Sequence, residues 1–128
     1  MANQHTKKRH PRIKRLIEKW RKRLLLNEWY IDVIYPDEGR CLDGREVIAS
    51  NSANPAYLNM QISIYPAFFE APEQLQEETL VHELCHALTQ PVWDMMESLH
   101  NGENVTPKHQ RSAIETLTQR LTNIAFWR

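Results

Sequence analysis

The chain has 128 residues, of which 41% are hydrophobic and 25% charged, and its formal net charge is zero. This length suffices for one domain with its own core but is too short for two ordinary domains. Two cysteines are too few for a disulfide scaffold, and no apolar segment approaches the ~20 residues of a membrane span, so we expect a cytoplasmic protein without membrane contact.

The balanced net charge conceals an uneven distribution. Ten of the sixteen Lys and Arg residues lie between Met1 and Arg23, where Glu18 is the only acidic residue. This segment therefore carries +9 and the remainder of the chain −9. A basic segment joined to an acidic body suggests internal docking, or weak and salt-sensitive binding of polyanions.

The first part of the chain predicts a tail, a helix and a small sheet. Residues 1–10 show no apolar periodicity and are expected to form a flexible basic tail, which leaves 11–128 for a single domain. From Pro11 to about Leu26, apolar residues recur at helical spacing opposite a face of Lys and Arg. Aromatic and β-branched residues predict three strands, separated by a loop and a tight turn: strands at 29–35, 45–50 and 56–66, the loop at 36–44 and the turn at 51–55.

Two further helices are predicted in the second part. Ala71-Pro72-Glu73 opens the first of them, and Pro91 is expected to end it. A loop follows from Pro91 to Val105, and Thr106-Pro107 then begins a last helix that runs to about Trp127. The order helix, three strands, helix, loop, helix indicates an α+β domain.

The segment TLVHELCHAL in the second helix places His82 and His86 four residues apart, with Glu83 directly after the first. Residues four apart lie on the same side of a helix, so both imidazoles can bind one zinc ion at about 2.0–2.1 Å. Glu83 is ~100° around the helix from His82 and is placed to accept a proton from a metal-bound water. A shuffled chain of this composition would contain the pattern roughly 0.03 times, which favours a metal site over two solvated histidines.

The pattern of apolar residues places the histidines away from the core. The residues predicted to face the core are Leu80, Val81, Leu84, Cys85 and Leu88, so we interpret Cys85 as a small apolar residue and not as a ligand. The histidines lie on the opposite face of the helix.

An open zinc site requires a third protein ligand. The downstream candidates are Glu97, His100, Glu103, His109 and Glu115. Glu115 is well inside the last predicted helix, at the border of an apolar stripe formed by Ile114, Leu117 and Leu121. By periodicity alone, Glu115 is at least as compatible with a solvated charge as with a ligand.

TLVHELCHAL followed by AIETLTQRLTNIAF resembles the gluzincin branch of zinc metallopeptidases, in particular the single-domain minigluzincins, which include phage-encoded zincin-like proteins. The resemblance implies a zincin-like α+β fold with an N-terminal helix, a short three-stranded twisted sheet, the HExxH helix and a C-terminal helix. It also implies one Zn²⁺ per chain bound by His82, His86 and Glu115, with Glu83 as the general base. No tyrosine or histidine can be matched to the family's oxyanion-stabilising residue.

The partner expected from this resemblance is a peptide or protein substrate, which would add as a strand to the sheet edge near AYLNMQISIY. Two other interpretations stay open. The motif helix also resembles that of SprT-like zinc proteases, which act near DNA and use a third histidine, here His100 or His109. The chain could instead be a zinc-stabilised binding module without catalytic activity.

Overall fold

A computed structural model describes residues 10–126 of the chain. Its helices and strands are, in chain order, α1 (Pro11–Arg23), β1 (Tyr30–Ile34), β2 (Arg40–Leu42), β3 (Arg45–Val47), β4 (Ala49–Asn54), β5 (Asn59–Ile64), a 3-10 helix (Pro66–Glu70), α2 (Glu73–His100) and α3 (Pro107–Ala125). The predicted α+β class is confirmed. The predicted tail at 1–10 lies outside the described residues except for His10.

Three of the strands form a mixed sheet in the order β1-β5-β4. The central strand β5 is parallel to β1, with Val33 opposite Ile62, and antiparallel to β4, with Asn51 also opposite Ile62. A three-stranded sheet is therefore present as predicted, but the predicted strand at 45–50 is divided: residues 45–47 form β3, outside this sheet, and residues 49–50 begin β4. Residues 51–54, expected to form a turn, belong to β4, because pairing with β5 outweighs the low strand propensity of Asn and Ser.

The segment predicted as a loop at 36–44 contains a strand of a separate hairpin. β2 and β3 pair antiparallel with Leu42 opposite Arg45, so Asp43 and Gly44 form a two-residue turn. Both turn residues have positive φ, 52° and 75°, as this tight type of hairpin requires. The Asp-Gly dipeptide is the sequence signal for that hairpin, and the loop prediction missed it.

The core lies where α1 and α2 pack against the sheet. Met60, Ile62 and Ile64 alternate along β5 and are at most 2% exposed. They pack in one cluster with residues of both helices, namely Ile13 and Ile17 of α1 and Leu80, Leu84, Ala87 and Leu88 of α2. The apolar stripe predicted for α1 is confirmed by the burial of its two isoleucines.

Part of the basic segment docks internally on the acidic start of α2. Glu77 accepts hydrogen bonds from Trp20 Nε1 at 2.6 Å and from Lys19 Nζ at 3.1 Å. The bond from Trp20, followed by that from Lys19, lowers the pKa of Glu77. Arg12 donates to Gln76 Oε1 at 2.5 Å. Other basic residues of α1 are exposed and available for the weak polyanion contact that the charge pattern suggests: Lys14, Arg15, Lys22 and Arg23.

The expectation that Pro91 ends the second helix is wrong. α2 runs through Pro91 to His100, so the predicted loop from Pro91 to Val105 is reduced to residues 101–106. Proline leaves the Ala87 carbonyl without its helical N–H, and burial of Met95 beyond it helps to hold the helix together. Although α2 spans 28 residues, no helix within residues 10–126 is long and apolar enough to cross a membrane.

The predicted start of the last helix is confirmed. Thr106 caps α3 through its Oγ1 atom, which accepts a hydrogen bond from the His109 backbone N–H at 3.1 Å. Pro107 occupies the first helical position. A backbone N–H at that position would have no intrahelical acceptor, so proline loses no hydrogen bond there. The helix ends at Ala125, close to the expected end at Trp127, which lies outside the described residues.

Replacing Pro91 tests whether the helix is continuous in solution. We expect Pro91→Ala to raise the free energy of unfolding by about 1–3 kcal/mol, because proline inside a helix is ~3 kcal/mol less favourable than alanine. Urea unfolding at pH 7 measures this change. Pro107→Ala is the matched control and should have little effect, since proline suits its position. If neither substitution changes stability, α2 does not continue through Pro91.

Candidate metal and peptide site

His82 and His86 lie side by side on α2. Their ring centroids are 5.0 Å apart and their planes meet at 77°. His82 is exposed and His86 is half-buried, whereas Leu84 and Leu88 on the core side are at most 4% exposed. The two imidazoles therefore face away from the core, as the sequence predicts, and are close enough to offer nitrogens to one ion.

The prediction that Cys85 faces the core as a small apolar residue can also be compared with the structure. It is half-buried, packs against the core cluster, and burial raises the pKa of its thiol. A thiol that is harder to deprotonate is a poorer metal ligand, because the thiolate is the form that binds. The structure thus supports its interpretation as a small apolar residue.

Glu83 is buried between α2 and the sheet, with 6% of its surface exposed. Its Oε1 atom accepts a hydrogen bond from Asn51 Nδ2 of β4 at 2.7 Å. A carboxylate removed from water needs such a donor, because an unpaired buried charge is costly. The bond fixes the carboxylate on the β4 side of α2.

Asn51 is a residue that the sequence interpretation missed. The sequence predicts a turn at this position, and a turn implies no role for the side chain. In the structure it is half-buried in β4 and points towards α2. The available signal was the alternation in ASNSAN, where Ala49, Asn51 and Ala53 share one strand face.

The structure does not bring Glu115 to the histidines. α3 packs on the core through Leu117 and Ile124, and Glu115 is exposed. Glu115 and Leu117 are two positions apart in the chain, which places the two side chains ~160° apart around the helix. In the described range 10–126, no three His, Cys, Asp or Glu side chains are grouped so that they could hold a metal ion together.

The apolar stripe predicted for α3 is only partly buried. Ile114 and Leu121 are 47% and 51% exposed, and Leu117 alone of the three packs on the core cluster. No side chain within Pro107–Ala125 is fully buried. α3 thus contributes fewer side chains to the apolar core than α1 or α2.

The two histidines of the alternative ligand set are also separate from the pair. His100 ends α2, ~21 Å along the helix from His86 at 1.5 Å per residue. His109 is exposed in the first turn of α3. Neither is placed as the third ligand of a site built on His82 and His86.

The edge of the sheet beside the histidines is β4. The sequence interpretation placed an added substrate strand near AYLNMQISIY, but this segment contains β5, whose two sides are already paired with β1 and β4. That expectation is wrong, because a central strand has no free backbone groups to offer. β4 is the outer strand on this side of the three-stranded sheet, and it packs beside α2.

Tyr65 is the buried tyrosine nearest in sequence to the site, but its hydroxyl lies elsewhere. The Oη atom is 3.0 Å from Ser50 Oγ and accepts from Arg40 at 3.4 Å, and these hydrogen bonds lower the pKa of Tyr65. Ser50 and Asn51 are neighbours in β4 and so point to opposite sheet faces. Tyr65 is therefore not placed to stabilise charge beside Glu83.

A groove of about 410 Å³ opens next to the histidines. It is lined by Asn51, His86, Thr89, Gln90, Val92, Trp93, Met96 and Leu117. Two of these residues belong to the site already described, since His86 is one of the pair and Asn51 binds Glu83. The site and the groove are continuous.

Comparison with protein-family models, with curated protein sequences and with solved structures finds no match for this chain. Its function is therefore inferred from its own residues and their arrangement.

The Asn51–Glu83 hydrogen bond can be tested by removing its donor. We expect Asn51→Ala to lower the free energy of unfolding by about 1–3 kcal/mol, because the buried carboxylate loses a hydrogen-bond partner. Urea unfolding at pH 7 measures the loss. Asn54→Ala, an exposed position in the same strand, is the control and should be nearly neutral. Equal effects of the two substitutions would show that the bond to Glu83 contributes nothing.

Proposed function

We propose that this chain is a zinc-dependent metallopeptidase of the zincin-like, gluzincin type, which hydrolyses bonds in a peptide or protein substrate. One observation carries the proposal: two adjacent imidazoles, His82 and His86, lie on the same helix as the buried carboxylate of Glu83, which a strand residue holds in place. A buried carboxylate in the same helix turn as two adjacent imidazoles, one of which lines a groove, can combine metal ligands with a base.

The histidine pair fits a zinc ion, and Glu115 is proposed as the third ligand on the resemblance to gluzincins. Because Glu115 is on the outer face of α3, its ligation requires this helix to turn about its axis. The absence of a fully buried side chain in α3 makes such a movement less costly than for a helix anchored in the core. When bound, zinc lowers the pKa of a coordinated water towards ~7 and polarises a substrate carbonyl.

The chain's own residues supply the proton transfers and the positioning. Glu83 accepts the proton of the attacking water and passes it to the leaving amine. Asn51 keeps the carboxylate in one orientation through its 2.7 Å hydrogen bond. The free edge of β4 pairs with the extended substrate backbone and holds the scissile bond beside α2.

A zinc-stabilised module without turnover is the second candidate. The observation that favours it is the separation of Glu115 from the histidines, since an incomplete ligand set is no open catalytic site. The SprT-like interpretation has less support, because His100 lies ~21 Å along α2 from His86 and His109, on α3, belongs to no group of three potential ligands within residues 10–126.

Metal content tests the ligand assignment. We expect about one zinc per purified chain by elemental analysis, and its loss in His82→Ala and His86→Ala. Glu115→Ala should weaken zinc binding by a factor of at least ~10, whereas four other substitutions should not: Glu97→Ala, Glu103→Ala, His100→Ala and His109→Ala. A wild-type protein that cannot take up added zinc contradicts the proposal, and a larger effect of either histidine would favour the SprT-like interpretation.

Glu83→Gln separates the enzyme from the module. Glutamine retains an oxygen that can accept from Asn51, but it cannot take a proton from water. We therefore expect unchanged zinc content and stability, and a fall in peptide hydrolysis by a factor of at least ~100. Glu78→Gln, exposed on the same helix, is the control and should hydrolyse peptides like the wild type. Loss of zinc or of folding in Glu83→Gln would mean that Glu83 has a structural role.

A further inference from the structure

Another pocket, of about 370 Å³, shares no lining residue with the groove beside His86. Three segments form its walls: the turn between α1 and β1, the turn between β4 and β5, and α3. Its lining mixes apolar side chains with charged and amide groups, whereas the groove is lined by no Lys, Arg, Asp or Glu. The two concave surfaces are therefore suited to different ligands.

Two opposite charges line this pocket without pairing with each other. Arg120 of α3 is half-buried, and Glu28 of the α1–β1 turn is exposed. Neither side chain forms an ion pair or a hydrogen bond within residues 10–126. A guanidinium presents its N–H donors in a planar fork that fits a carboxylate, and the Glu28 carboxylate can accept from an ammonium group. The pocket thus offers a partner for each sign of charge.

An amide side chain accompanies each of these charges. Asn123 follows Arg120 by three positions on α3, so the two side chains share one helix face. Asn27 directly precedes Glu28 in the α1–β1 turn and also lines the pocket. Because an amide can both donate and accept, either one can add a hydrogen bond to a charged group of a ligand.

Two of the three walls are fixed by hydrogen bonds to backbone groups. Arg21 donates from Nη1 to the carbonyl oxygens of Asn27 at 3.1 Å and Trp29 at 3.0 Å, which holds the α1–β1 turn. The backbone N–H of Tyr30 donates to the Leu58 carbonyl at 2.9 Å and joins this turn to the one between β4 and β5. The pocket is therefore largely formed without a ligand, as small-molecule sites usually are.

Two leucines in the wall have a backbone conformation that leucine disfavours. Leu25 and Leu58 have φ of 56° and 52°, and both line the pocket. Leu25 follows the end of α1, at the position where glycine is usual, and its N–H donates to the Lys22 carbonyl at 3.1 Å. Glycine would relieve the strain but would remove an apolar side chain from the pocket. Strain of this kind concentrates where ligands bind.

Trp29 adds a buried polar group to the same wall. Its side chain is 3% exposed, and Nε1 has no hydrogen-bond acceptor within the described part of the chain. A buried N–H without an acceptor is costly, because it has lost its hydrogen bond to water. A ligand with a carboxylate brings an acceptor that the described residues do not supply.

We propose that this pocket binds a free α-amino acid with an apolar side chain, such as leucine. The carboxylate binds Arg120, the ammonium group binds Glu28, and the side chain contacts Leu25 and Leu58. A ligand with a single charge would meet one like charge in the lining, whereas a zwitterion finds a partner for both of its groups. The site is separate from the histidines and Glu83, so it does not depend on the proposed peptidase function.

The main test uses leucine and two derivatives that each lack one charge. Calorimetric titration of the full chain at pH 6.5 should show leucine binding at least ~10-fold more tightly than N-acetyl-leucine or leucine amide, because each derivative loses one charged hydrogen-bonding group. Glu28→Gln should bind N-acetyl-leucine at least as tightly as leucine, and Arg120→Gln should do the same for leucine amide. Misfolding cannot produce these opposite preferences. The controls are Glu38→Gln and Arg111→Gln, at exposed positions outside the pocket, which should keep the wild-type preference.

The indole N–H signals give a second readout. In proton–nitrogen correlation spectra, leucine should shift the Trp29 signal, identified by its loss in Trp29→Phe, as Nε1 gains an acceptor. Trp20 already donates to Glu77 at 2.6 Å and is the internal control, so its signal should not move.

The outcomes are distinct. Preference for leucine that reverses in the two pocket variants upholds the site, whether or not the chain hydrolyses peptides. Equal affinity for leucine and N-acetyl-leucine means that only a carboxylate is recognised, and the proposal is wrong. Leucine binding that Glu28→Gln and Arg120→Gln leave unchanged places the ligand elsewhere, and absence of binding at millimolar leucine also overturns the site. None of these measurements uses zinc or hydrolysis, so failure of the peptidase proposal is detected separately, by the metal and Glu83→Gln experiments.

Discussion

The hydrogen bond between Asn51 and Glu83 is the constraint on which the site depends. It joins α2 to the outer strand of the sheet through a polar contact between a buried and a half-buried residue. Around it, α2 packs on the core through Leu80, Leu84 and Leu88. Since these leucines fix the rotation of the helix, Glu83 meets β4 and the histidines face outward. A change in helix rotation would break the hydrogen bond and bury an imidazole.

At the start of α2, a charged residue stabilises the packing of α2 against α1. Glu77 accepts hydrogen bonds from Trp20 and Lys19 of α1, so part of the basic segment helps to hold the two helices together. This contact is far along the helix from the groove, which contains no charged lining residue. Hydrogen bonds to a charged residue thus stabilise the start of α2, whereas apolar side chains of its second half line the groove.

The sequence predicted those features that depend on local pattern. Helical spacing placed Ile13 and Ile17 in the core and the histidines outside it, and Thr106 was correctly identified as a cap. Long-range pairing was not predictable in the same way. β4 has poor intrinsic strand propensity and is a strand because β5 pairs with it, so the role of Asn51 was hidden. The prediction that Pro91 ends α2 is wrong, because it considers only the local effect of proline and not the packing of the residues beyond it.

The placement of α3 links the proposed metal site to the groove. Leu117 contributes to the groove in the described arrangement, and Glu115 lies ~160° away from it on the same helix. A rotation that directs Glu115 towards the histidines therefore removes Leu117 from the groove and brings Thr118, one turn from Glu115, towards it. The wall formed by Val92, Trp93 and Met96 belongs to α2 and stays in place in both arrangements. The proposed metal site would thus depend on how α3 is turned, whereas the apolar wall on α2 is independent of that rotation.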